Sequence, residues 1–192
     1  MRSTLEEFKD DLIEQAAALA TSRKGASGPP ADACGPLLRL FYRHVAAEDV
    51  TARSEIDLYG AAMSQYELAR ERPQGTAAIK VFTPTVDEHG WSADGHTVVE
   101  VVTDDMPFLV DSVTMLLNEQ NREVHMVVHP QILVRRDLTG RLLEVLTDEQ
   151  QVDRADLPRD MSRESWMHLE IGRESSPVQR LEIEKALVKV LT

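Results

Sequence analysis

Asp104, Asp105 and Asp111 surround Pro107 in the stretch TDDMPFLVDSVTMLLNEQ, residues 103 to 120, where an apolar alternating run gives way to helical spacing. Pro107 suits a first helical turn, since its missing N–H would be unpaired there, and Asp104 or Asp105 can satisfy the exposed amides beside it. A helix amino terminus attracts a carboxylate and an aspartate attracts an ammonium, so the ligand such a junction could bind is an amino acid. Met106 and Phe108 flank the proline and either wall an apolar pocket or belong to the core. Beyond them Leu109, Val110, Val113, Leu116 and Leu117 recur at helical spacing.

A second group is Glu100, His125, His129, Trp166, His168 and Glu170, carried on three predicted strands and pointing to one side of the sheet. Imidazoles and carboxylates gathered in this way could hold a divalent ion. The weightier alternative is a sheet face covered by a partner subunit or by other domains, because the cluster depends on strand register. The spacing His125-x3-His129 suits a metal on a helix, and here it falls in a strand. Other chemistry has little footing. Ser112 lies inside the predicted helix without a strand-turn-helix elbow, Cys34 has no activating cluster, and no G-x-G-x-x-G occurs to cradle a dinucleotide. No catalytic residue, resident metal or cofactor is expected.

Composition narrows the class further. The chain has 192 residues, 42% of them hydrophobic, enough for one core and an extension. With 21 Lys and Arg against 33 Asp and Glu, its net charge of −12 opposes a phosphate backbone, so nucleic acid is excluded as a partner. The single cysteine can form no internal disulfide. No apolar run is long enough for a bilayer, and the acidic start STLEEFKDD is unlike a signal peptide. A cytoplasmic protein without membrane contact is expected.

The elements that position both groups follow from periodicity. Ser3 and Glu6 have capping-box spacing ahead of a helix to about Thr21, with Leu5, Phe8, Leu12, Ala16 and Leu19 as its apolar stripe. Residues 23 to 35 read as a flexible linker, followed by a helix at 36 to 46 and another from Ser54 to about Arg72. From residue 76 alternation takes over: strands at 77 to 83 and 96 to 103, the 107 to 121 helix, a long strand at 123 to 135, strands at 141 to 147 and 165 to 172, and a final helix opened by Ser176 and Pro177. Val124, Met126, Val128, Ile132 and Val134 should share one face of the long strand. Residues 148 to 163 read as a protruding loop. Antiparallel alternation and connection handedness predict the strand order 77–83, 96–103, 165–172, 123–135, 141–147, with the two later helices on one face. The fold expected is α+β: a helical extension over residues 1–75, then a mostly antiparallel two-layer domain over 76–192. The final helix carries no stop signal, so the chain reads as a fragment of a longer one.

Strand, acidic turn, proline and apolar helix in that order resemble the first β-α unit of an ACT domain, a ferredoxin-like regulatory fold. Asp-Met-Pro-Phe-Leu stands where that family has Asp-x-Pro-Gly-Leu, so Phe108 replaces a glycine. FYRHVAAEDV (41 to 50), residues 57 to 91, HTVVEVVTDDMPFLVDSVTMLLNEQ (96 to 120), VVHP (127 to 130) and SWMHLEI (165 to 171) are similar to the amino-terminal region of the large bacterial NAD-specific glutamate dehydrogenases. The resemblance implies a non-catalytic regulatory or assembly segment ahead of a catalytic core. NAD and the oxidative deamination of L-glutamate to 2-oxoglutarate then belong to that core. It implies as partners an amino-acid effector at Asp104, Asp105, Met106, Pro107, Phe108 and Asp111, the other domains of the parent and further copies in a homo-oligomer. The alternative it leaves is an oligomerisation or docking module without a ligand.

Overall fold

The computed structural model of the chain describes residues 4–22, 28–147 and 157–191. Four helices come first: α1 Thr4–Ser22, α2 Ala31–Tyr42, α3 Ala47–Thr51 and α4 Glu55–Ala69. The sheet region follows as β1 Ala78–Phe82, α5 Val86–His89, β2 Thr97–Asp104, α6 Leu109–Glu119, β3 Val124–Val128, β4 Gln131–Arg136, β5 Leu142–Leu146, β6 Met161–Ile171 and α7 Pro177–Leu191. The fold is α+β, with an antiparallel sheet in the expected order β1-β2-β6-β4-β5 and β3 also paired to β6.

The expected long strand is two. Pro130 has no N–H for the ladder, so β3 ends before it and β4 begins after it. The register nevertheless runs on, with Val128 opposite His168, Gln131 opposite Ser165, and the Trp166 N–H donating to the Pro130 carbonyl at 3.1 Å. A register shift between Val124 and Met126 breaks the expected shared face. Val124 packs under α6 and α7, whereas Met126 and Val128 join the core of the amino-terminal helices. β6 begins four residues before the expected strand, because Met161 and Arg163 pair with Arg135 and Leu133. Residues 148–156 of the expected loop lie outside the described residues.

Two further expectations change. The reading of residues 23–35 as a linker fails from Ala31 onward: α2 starts there, with Pro36 inside it, because Cys34, Leu37, Leu38 and Phe41 bury one helical face. Burial overrides the local signal of proline and small residues. The buried stripe of α1 is Lys9, Leu12, Ile13 and Ala16, while Leu5 and Phe8 are exposed. Lys9 turns inward because its ammonium donates to the Val45 carbonyl at 2.6 Å and the Arg43 carbonyl at 3.4 Å, serving the carbonyls at the end of the α2 region. The Ser54 cap of α4, accepting from the Asp57 amide, is as expected. Ser3 of the expected first cap lies outside the described residues.

The sheet is the middle of three layers. On one face α6 and α7 enclose Val81, Val99, Val101, Leu117, Met167, Leu169, Ile171 and Leu187. Burying each such side chain contributes about 1.5–3 kcal/mol. On the other face α1, α2 and α4 cover Met126, Val128, Ile132, Val134 and Trp166. α4 comes so close to the segment before β2 that a Cβ on Gly60 would stand 2.2 Å from Trp91 Cγ. Residues expected on an outer face therefore lie beneath the chain's own helices.

Candidate functional site

β2 ends at Asp104, a short turn carries Asp105, Met106, Pro107 and Phe108, and α6 carries Asp111, a geometry that differs from the sequence reading. α6 begins at Leu109, and Pro107 belongs to the turn before it rather than to the first helical turn. Its N-cap is Phe108, whose backbone is left-handed at φ 64° and ψ 16° and whose own side chain makes no cap. A non-glycine side chain in this region costs about 1–2 kcal/mol through its Cβ. Phe108 thus holds a backbone conformation that glycine adopts without cost.

The aspartates face inward. Asp104 accepts from Arg72 Nη2 at 2.7 Å, and Asp105 accepts from Ser165 Oγ at 2.8 Å and Gln131 Nε2 at 3.2 Å. Neither caps α6, contrary to expectation. Asp111 is exposed in the first turn. Met106 is 45% and Phe108 77% exposed, so neither is a core side chain.

The second group is brought together in part, on the face under α1–α4. Glu100 on β2 lies opposite His168 on β6, and the His168 Nε2 to Glu170 Oε1 separation is 3.5 Å. Glu170 also pairs with Arg53, and its Oε2 is 3.4 Å from His96 Nδ1. The His125 ring stacks on His96 with centroids 4.4 Å apart. Trp166 and His129 belong elsewhere: Trp166 Nε1 donates to Glu164 Oε2 at 3.0 Å, and His129 Nε2 is 3.2 Å from Ser165 Oγ. Burial holds His129 below the usual imidazole range, with Asp105 opposing.

Glu100 is the exposed charge that became a buried one. Both of its oxygens are buried without a well-formed hydrogen bond, although the Ser64 hydroxyl lies near enough to favour the charged form. Burial pushes its carboxyl above the usual range, against smaller pulls from His168, Ser64 and Lys80. In Glu170 burial pushes the same way, but His168 and Arg53 together hold its carboxyl low. Among the described residues no three His, Cys, Asp or Glu side chains are arranged to hold a metal ion. Cys34 is fully buried and its thiol is pushed up to about 11 by that burial, which removes the thiolate a nucleophile needs.

Sequence reasoning missed the most elaborate cluster. Glu164 is fully buried between Arg72 and Arg136, themselves 1% and 8% exposed. Arg136 grips it bidentately, Nε to Oε1 at 2.7 Å and Nη2 to Oε2 at 2.9 Å, while Arg72 Nη2 reaches Oε1 at 2.6 Å. Burial is the largest single influence on Glu164 and pushes its carboxyl up, yet the two guanidiniums together hold it low. One signal could have found it: Glu164 shares the two-residue period of Trp166, His168 and Glu170. Arg72 stands 92 positions away, which no periodicity connects.

The chain is similar to known proteins over most of its length. Residues 37–187 match the family model described as glutamate dehydrogenase, ACT1 domain. The NAD-specific glutamate dehydrogenase of Halomonas elongata is 35% identical over 186 residues, covering 97% of this chain and 11% of that protein. That of Pseudomonas aeruginosa is 34% identical over 151 residues, covering 79% and 9%. The chain spans about a tenth of the length of these relatives. No helix among the described residues is long and apolar enough to cross a membrane. On the strand order, the junction between β2 and α6, and a match covering most of its length, the chain belongs to the glutamate dehydrogenase ACT1 domain family.

Proposed function

We propose that the chain is a non-catalytic assembly module of an NAD-specific glutamate dehydrogenase, docking through the corner between β2 and α6 onto other domains of that enzyme. The oxidative deamination of L-glutamate and the binding of NAD belong to those other domains. One observation carries the reading: Phe108 is 77% exposed and held in a left-handed backbone. Strain of this kind persists where the exposed group has a use, and an aromatic side chain beside exposed Met106 suits a buried contact.

The test separates strain from docking. In the 192-residue chain, Phe108→Gly relieves the backbone and raises unfolding free energy by about 1 kcal/mol, read in urea. In the enzyme that carries this segment, Phe108→Ser loosens the contact, read as faster amide hydrogen exchange over residues 104 to 110. Unchanged exchange there in that variant counts against docking.

A second reading, regulation by an amino-acid effector, has its own support. Phe108 at the N-cap of α6 makes no side-chain cap, which supports a ligand carboxylate meeting the first amides of the helix. Calorimetry of the chain against the common amino acids tests this, and an absence of heat at millimolar concentration removes it.

A further inference from the structure

The buried Arg72–Glu164–Arg136 cluster opens on one side into a cleft of about 380 Å3 lined by Arg72, Arg136, Arg159, Leu138, Leu143 and Met161, among others. That volume lies within the roughly 300–1,000 Å3 typical of small-molecule sites. Each guanidinium has five N–H donors. Arg136 uses three, through Nε and Nη2 to Glu164 and Nη1 to the Gly140 carbonyl, and so keeps two. Arg72 uses four, on Glu164 twice, Asp104 and the Thr76 carbonyl, and so keeps one.

The acidic groups of the same cleft are already committed. Asp137 Oδ1 accepts from the Thr139 amide and hydroxyl at 2.8 and 2.7 Å and from the Arg141 amide at 3.1 Å. Asp160 Oδ2 pairs with Arg135 Nε at 3.0 Å. Arg159 is exposed and has no hydrogen-bond or ion-pair partner among the described residues. The charged side chain of the cleft that has no partner among the described residues is therefore a cation, Arg159, in a chain whose net charge is −12. Leu138 and Leu143 stand exposed beside it, a surface that an apolar chain would cover.

We propose that this cleft binds a small organic carboxylate with a short apolar chain. The carboxylate meets Arg159 and the unused donors of Arg136 and Arg72, in the planar geometry that guanidinium favours. The apolar chain lies against Leu138, Leu143 and Met161. Asp104 links the cleft to the junction, since it bonds to Arg72 and ends β2. The proposal does not depend on the docking reading.

The experiment is an NMR titration of the chain with butanoate, and in parallel with the neutral isostere butanamide and with inorganic phosphate. Butanoate should move the Gly140 and Ser162 amide signals saturably at millimolar concentration, butanamide should not, and phosphate should bind more weakly. Arg159→Ala, a surface change that spares the fold, should weaken butanoate about tenfold, the worth of one charge-assisted contact. Leu138→Ala should weaken butanoate a few-fold and leave phosphate unaffected. The proposal is overturned by any of three results: no saturable shift below about 50 mM, equal affinity for butanoate and phosphate, or an Arg159→Ala chain that binds butanoate unchanged.

Discussion

The two faces of the sheet are built on different physics. Under α6 and α7 the buried cluster is aliphatic and Met167, with shape and volume as its only terms. Under α1–α4 the same strands bury Glu100, Glu164, His168 and Glu170 beside Arg72 and Arg136. The first face tolerates any side chains that fill it, whereas the second demands particular partners, because an unpaired buried charge is costly. A one-residue slip of β6 would separate Glu164 from both arginines at once, so the polar face also specifies register.

The largest effect expected of this difference follows Glu164→Ala. It strands two buried guanidiniums with only the half-exposed Asp104 nearby, and should cost about 3–5 kcal/mol, read as a lower urea midpoint. On the opposite face Leu117→Ala removes a fully buried side chain and should cost about 2–4 kcal/mol. A smaller loss from Glu164→Ala than from Leu117→Ala would break the comparison.

The smallest effect is the most diagnostic, since only the polar face titrates. Glu164 and Glu170 have lowered pKa values, so the stability they contribute is present above the unfolded carboxylate value of about 4.3 and is lost as pH falls through their folded values. Glu100 runs the other way. Its raised folded pKa means its contribution is present below the unfolded value and lost as pH rises through the folded one. Urea midpoints measured from about pH 4 to pH 8 should therefore show Glu100→Gln gaining on the parent chain as pH rises. A constant offset across that window would show Glu100 to be titrating normally. The penalty of Leu117→Ala should stay flat over the same range.

Much of this architecture was readable before any coordinates. Strand order and the placement of α6 and α7 follow from alternation in Val99, Val101, Met167 and Leu169 and from the helical spacing of Leu109, Val113 and Leu117. The candidate junction was legible as residues but not as geometry. Asp104 and Asp105 read as helix caps because local rules see only neighbours, yet their partners Arg72 and Ser165 lie 32 and 60 positions away. Phe108 was legible as a departure from glycine, and its left-handed backbone was not.

Glu100, His168 and Glu170 show where local pattern stops. Their common face was visible in the alternation of the strands, because successive side chains point to opposite sides whatever surrounds them. Whether water, a partner or the chain's own helices would cover that face was not, since polar side chains on a strand ordinarily mean solvent. Only the docking of α1–α4 buried them, and only a contact such as that between Arg53 and Glu170, 117 positions apart, supplied compensating charge, which Glu100 does without. Periodicity is a property of neighbours, and the partner of a buried charge is a property of the folded whole.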